Sequence, residues 1–199
     1  PFKLYRDDQV IEDPVDQTTL TQRYTSEALR FIEQNRENPF FLYIPHSFPH
    51  VPLFVTEEFE GKSDAGLYGD VVETIDWSMG QIFNKLTELG IDENTMVIFT
   101  SDNGPWFEGS SGQFRNRKGT SWEGGLRVPF IARWPSKIAA NQQTSVAAMN
   151  IDIFPTILDF AEISAPREGT LDGKSLRGVL TNNEDSAHAV LYRFNNDRI

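Results

Sequence analysis

The run Met96-Val97-Ile98-Phe99-Thr100 stops at Ser101-Asp102-Asn103-Gly104, and that stop limits the folds open to the chain. Largely apolar, partly β-branched residues in a continuous run read as a strand covered on both faces. The acid, amide and glycine that follow put oxygen donors at its C-terminal end. Open α/β sheets bind their ligands at that edge, and hard cations such as Ca²⁺ and Mg²⁺ take oxygen ligands. Asp102 and Asn103 are therefore candidate metal ligands.

The rest of the chain supplies the elements around such a strand. Residues 1–17 are acidic and poor in apolar positions, with a short strand predicted at Gln9-Val10-Ile11. From Thr18 the spacing of Leu20, Tyr24, Ala28, Phe31 and Ile32 predicts a helix to about Asn35, with Thr19 and Gln22 as a capping box. Pro39-Phe40-Phe41-Leu42-Tyr43-Ile44 predicts a second strand buried on both faces. A long helix follows from about Asp70 to Leu89, its stripe being Val72, Ile75, Met79, Ile82, Phe83 and Leu86, with Gly90 as its C-terminal cap. Helix, strand, helix, strand over residues 19–100 is the signature of a mostly parallel sheet flanked by helices. Beyond it lie a strand over Val128–Trp134, a short helix over about Ile151–Ala161 with Ile153, Ile157 and Phe160 facing inward, and a strand at Val190–Phe194.

Two loops carry further chemistry. His46 and His50 follow the 39–44 run, among prolines 45, 49 and 52 that stiffen the loop. His50 offers a proton donor or a cation, although a loop histidine can equally be incidental. Arg115, Arg117 and Lys118 gather cations between Ser110-Ser111-Gly112 and Gly119–Gly125. That reads as an anion site whose glycines allow close approach to a ligand, or as a solvated basic loop. Asp76, in mid-helix, reads as a surface or structural group, with support of the site as the alternative.

Composition excludes several chemistries. The formal net charge of -11 leaves no broad cationic surface for nucleic acid or anionic membrane, yet permits an anion held by a few local cations. There is no cysteine, hence no disulfide, zinc thiolate site or cysteine nucleophile in these residues. There is no Asn-x-Ser/Thr sequon, and no apolar run approaches the ~20 residues of a membrane helix. Ser101, Ser110, Ser111, Thr120 and Ser121 are nucleophiles by residue type only.

The ordered set of motifs resembles a family. Pro39–Tyr43 with Pro49-His50-Val51-Pro52-Leu53, Tyr68-Gly69-Asp70, Phe99–Pro105, Lys118–Gly125, Val128-Pro129-Phe130 and Asp152–Thr156 are similar, in order and spacing, to type I sulfatases. The arylsulfatase A and N-acetylgalactosamine-6-sulfatase branch is the nearest. The resemblance implies an alkaline-phosphatase-like α/β fold and hydrolysis of a sulfate ester with one bound Ca²⁺, or Mg²⁺. It assigns Asp102 and Asn103 to the metal and His50 and Lys118 to the sulfate, as the catalytic and substrate-binding residues of this segment. It implies a formylglycine nucleophile made from a Cys/Ser-x-Pro-Ser-Arg motif, and a sulfated small molecule, glycan or lipid as substrate. Family habit is secreted, periplasmic or lysosomal.

The chain departs from that pattern. Neither the nucleophile motif nor the aspartate pair that completes the metal site is present; Arg133-Trp134-Pro135-Ser136-Lys137 matches the motif only superficially. The expectation is a segment: residues 1–165 as part of a catalytic domain, and 166–199 as the beginning of a C-terminal subdomain. A phosphodiester or phosphonate monoester hydrolase, or a non-catalytic binding protein on the same fold, are the competing expectations.

Overall fold

The computed structural model describes residues 2–165, 171–182, 184–185 and 188. The chain divides into two units, Pro1–Asp92 and Glu93–Ile199. The strand expected at Val190–Phe194, and most of the expected second domain, lie outside the described residues.

The first unit opens on an antiparallel hairpin, β1 (Leu4–Arg6) and β2 (Gln9–Glu12), that turns at Asp7 with φ +52°. The acidic residues that follow are put to use. Glu12 pairs with Arg23 and Asp13 with Lys3, while the Asp16 carboxylate accepts from the Thr18 N–H and hydroxyl. Asp16 thereby caps a short 3₁₀ turn, Gln17–Thr19, that runs into helix α1 (Leu20–Gln34). The capping box expected of Thr19 and Gln22 does not form. Thr19 has no side-chain cap bond, and Gln22 donates instead to the Thr56 hydroxyl at 2.8 Å. Asp16 is a stronger acceptor than Thr19 for N–H groups at a helix start.

Helix α2 (Gly66–Glu88) starts four residues earlier than periodicity predicts and packs on α1. Its buried face carries Val71, Ile75, Ile82 and Leu86 together with Thr74 and Ser78. The expected stripe is turned by one residue: Val71 is 1% exposed and Val72 42%. Small hydroxyl residues cause the rotation. Thr25 of α1 and Ser78 of α2 are both buried and hydrogen bonded at 2.6 Å, which lets the helices meet on a partly polar seam. The C-terminus follows the sequence reading: the Gly90 N–H donates to Thr87 O, the Ile91 N–H to Leu86 O, and Gly90 takes φ +69°.

The run 39–44 is extended, but no strand pairs with it among the described residues. Its exposure alternates. Phe40, Leu42 and Ile44 are half-buried, Phe40 lying edge-on to Phe31 of α1, while Phe41 is 67% and Tyr43 74% exposed. One helix covers one face, so the two-sided burial that the sequence predicts is not seen.

In the second unit β3 (Val97–Thr100) pairs with β4 (Phe130–Arg133). All four β3 residues are half-buried, because a lone pair of strands cannot cover both faces. Both strand pairs among the described residues are antiparallel, so parallel pairing is not seen within them. Pro129 precedes β4, where its missing N–H costs no ladder bond. A four-residue helix, α3 (Glu123–Leu126), precedes β4, and α4 (Ile153–Phe160) and α5 (Arg177–Asn182) follow it. The α4 residues fully buried are Thr156 and Phe160, Ile153 and Ile157 being half-buried. Trp134, Phe160 and Leu176 form the apolar centre, with Trp134 donating to Glu93 O at 3.0 Å.

Candidate functional site

The end of β3 is held by its own backbone and by one distant amide. Asn150 donates from Nδ2 to Ser101 O at 2.9 Å and accepts from the Thr100 hydroxyl at 3.4 Å. This keeps the last strand residues extended and leaves the Asp102 carboxylate exposed beyond them. Asn103 donates from its amide to Asp102, and Ser101 donates to Asn103 O at 3.2 Å. The two expected metal ligands are adjacent in the turn, the Asn103 amide nitrogen donating to the Asp102 carboxylate.

Glycine welds this turn to the Lys118 loop. The Gly104 N–H donates to Gly125 O at 3.0 Å, the Lys118 N–H to Pro105 O at 2.9 Å, and the Gly124 N–H to Arg115 O at 2.9 Å. A Cβ on Gly104 would stand 2.1 Å from Gly124 O, and one on Gly124 2.0 Å from Asn116 O. The close approach that the sequence assigns to a ligand is therefore made between two backbone segments. Its effect is to place Lys118 against the turn that carries Asp102 and Asn103.

The three clustered cations have three different employments. The Arg117 guanidinium holds the carbonyls of Trp106, Phe107 and Gly109 and so shapes the loop after Gly104. Arg115 lies over the Trp122 ring, 3.7 Å from its centroid. The Lys118 ammonium has no hydrogen bond or ion pair among the described residues and is half-buried. Of the three, Lys118 is the one with no hydrogen bond, ion pair or ring contact among the described residues.

His50 belongs to the first unit. It is exposed, and its Nδ1 lies 2.7 Å from Val51 O. His46, four residues earlier, is its opposite: both ring nitrogens are buried without a partner, and burial pushes its pKa down. His46 is a packing residue whose charged form burial disfavours, whereas His50 is presented to solvent.

Sequence reasoning missed two buried carboxylates that hold loops in place. Asp70 accepts from the N–H groups of Ser63, Gly61 and Lys62 at 2.8 to 2.9 Å, and these bonds, Ser63's foremost, hold its carboxyl below the usual range. Asp152 accepts from Met149 N–H, Lys174 N–H and His188 Nε2, the last at 2.6 Å. A helical acid is normally read as solvated, and no local pattern marks these two as buried. Asp76 is exposed.

The donor set fits a hard cation in kind but not in number. Among the described residues no cluster of three or more His, Cys, Asp or Glu side chains could hold a metal. Asp102 and Asn103 offer two oxygens where Ca²⁺ takes about six to eight. No described helix is long and apolar enough to cross a membrane.

Residues 3–163 match the sequence model of the sulfatase family. The chain belongs to the sulfatase family. It is 40% identical over 204 aligned residues to human (Homo sapiens) steryl-sulfatase, covering 97% of this chain and 35% of that one. It is 39% identical to mouse (Mus musculus) N-acetylgalactosamine-6-sulfatase, covering 95% of this chain and 40% of that one. Among solved structures, a sulfatase from Pseudoalteromonas sp. superimposes with a TM-score of 0.82 at 29% identity, over 92% of this chain and 40% of that chain. The alkaline-phosphatase-like α/β class implied by the motifs is the fold of these sulfatases. The sulfatase chain described here spans little more than a third of the curated relatives it matches.

Proposed function

We propose that this sulfatase segment supplies one side of a sulfate-ester hydrolase site: two oxygen ligands for a divalent metal, Ca²⁺ or Mg²⁺, and donors for the sulfate. The observation that carries this reading is the weld between the β3 end and the Lys118 loop: backbone hydrogen bonds join the turn after Asp102 and Asn103 to the loop of Lys118, whose ammonium has no hydrogen bond or ion pair among the described residues. A bound metal would supply positive charge against the sulfate oxygens. Asp102 and Asn103 would hold it, Lys118 would donate to a sulfate oxygen, and His50 would donate from its ring. Fixed donors aimed at developing negative charge are an effective way to lower such a barrier.

The attacking group is proposed to lie outside these 199 residues. Ser111 and Thr120 donate to the backbone carbonyls of Phe114 and Arg117, and Ser110 accepts from Gly112 N–H. None of these three is hydrogen bonded to a basic side chain that could activate it. The family's formylglycine, with further metal-binding carboxylates, would complete the site.

The reading is tested by isothermal calorimetry and an aryl sulfate assay on the 199-residue chain. Weak or absent Ca²⁺ binding and negligible turnover are expected. Tight one-to-one Ca²⁺ binding that is abolished by Asp102→Ala, or fast metal-dependent hydrolysis, would show that the segment is sufficient by itself. Sulfate should bind weakly to the chain and lose that binding in Lys118→Ala. Preference for a phosphonate monoester over a sulfate ester would move the assignment to phosphorus.

A further inference from the structure

We propose that the Val51 carbonyl locks the tautomer of His50, so that this ring can donate to an oxyanion only when it is protonated. The proposal deepens the role given to His50 above and rests on that reading for its ligand, sulfate.

The argument starts from one distance. His50 Nδ1 lies 2.7 Å from Val51 O. A carbonyl oxygen only accepts, so Nδ1 must carry the hydrogen. A neutral imidazole has a single N–H, which leaves Nε2 with a lone pair. That lone pair repels a sulfate oxygen. Adding the second proton reverses its character: Nε2 becomes an N–H donor on a cationic ring. The free neutral ring prefers the opposite tautomer, with hydrogen on Nε2, and in that form a neutral histidine could still donate to an anion. The lock removes this option.

The sequence explains why the carbonyl is held in place. Val51 precedes Pro52, and a residue before proline is confined to extended backbone. Pro49 constrains the other side of the pair. The direction of the Val51 carbonyl is thus set by the loop's prolines and does not depend on a distant contact.

The surroundings contain no group that would do the same job. His50 lines a cavity of about 310 Å³ with Lys3, Tyr24, Ser47 and Phe48. Lys3, before β1, is the cavity's other cation, and its ammonium is 3.1 Å from the Asp13 carboxylate. The Tyr24 hydroxyl of α1 shares a hydrogen bond with Ser47 Oγ at 3.2 Å. Lys3 and Tyr24 are the titratable side chains that line this cavity beside His50, and both have partners. His50 is the donor at this cavity that a proton switches on.

The test is two-bond proton–nitrogen NMR on the ¹⁵N-labelled chain, which has three histidines to assign; the exposed His50→Gln variant identifies the signal. In its neutral form His50 is expected as the Nδ1–H tautomer. Sodium sulfate is then titrated at about pH 5.5 and about pH 8.5, and its affinity should fall toward tenfold per pH unit once the ring deprotonates, since one proton is linked to binding. A neutral ring protonated on Nε2 overturns the lock. A correct tautomer with sulfate affinity indifferent to pH overturns the claim that His50 donates only when charged. Failure of sulfate to bind even at the acid pH overturns the anion-site reading beneath the proposal, and the tautomer signal distinguishes that failure from failure of the lock.

Discussion

Gly104→Ala should loosen the proposed metal turn without touching a ligand. The new Cβ would stand 2.1 Å from Gly124 O and 2.9 Å from the Gly125 Cα and carbonyl carbon. All three are backbone atoms, so no side chain can swing away, and the segments must part by roughly 1 Å. Overpacking of this kind costs about 1–3 kcal/mol. The separation also stretches the bond from Gly104 N–H to Gly125 O, now 3.0 Å, and a lost bond adds about 0.5–1.5 kcal/mol. Together they weaken the weld by about 2–4 kcal/mol, which at tenfold per 1.4 kcal/mol is on the order of 30- to 1,000-fold faster local opening. Hydrogen exchange read by mass spectrometry on peptides covering residues 99–126 reports that opening. Gly112→Ala is the control: Gly112 has φ +58° and nothing within 4 Å of a Cβ, so it carries only the left-handed backbone penalty, about 1–2 kcal/mol. If Gly104→Ala exchanged no faster than Gly112→Ala, the close backbone approach would not be what holds the turn.

Other consequences are open to measurement. Asp70 is held charged by three backbone donors, so its folded pKa is below the ordinary ~3.9; its stabilisation is complete above that pH and is lost as pH falls toward the folded value. Asp70→Asn should flatten this acid limb, followed through Trp77, which packs against Phe59 5.5 Å away; identical acid limbs would contradict the assignment. Thr25→Val should cost about 1–3 kcal/mol by leaving Ser78 unsatisfied in a buried seam, and adding Ser78→Ala should recover part of it, with a coupling of about 1 kcal/mol in urea unfolding. Strict additivity of the two substitutions would argue that the hydroxyls do not bond.

Local signals in the chain were enough for several features. Gly90 ends α2 where a left-handed residue is needed, and Pro129 keeps β4 from starting earlier. The change from apolar run to Asp102-Asn103-Gly104 marks where β3 ends, and the ordered motifs identify the family. These are properties of a few neighbouring residues or of their order, and backbone geometry reads them within a turn or a strand.

Other features depended on which distant atoms meet. Val71 rather than Val72 is buried because Thr25 and Ser78, 53 residues apart, share a hydrogen bond that hydrophobic periodicity does not register. Asp70 is buried because three N–H groups from residues 61–63 fold back onto it. The run 39–44 has a sequence suited to cover on both faces, and here α1 covers one. In the basic loop, residue type alone could not say which cation was open to a ligand. Arg117 spends its donors on three carbonyls and Arg115 its face on Trp122, and Lys118 remains. The sequence by itself determined the kinds of groups at this site and their order along the chain. Only the tertiary structure decided which of them were already engaged, because hydrogen bonds and close packing depend on distances of a few ångströms between residues far apart in sequence.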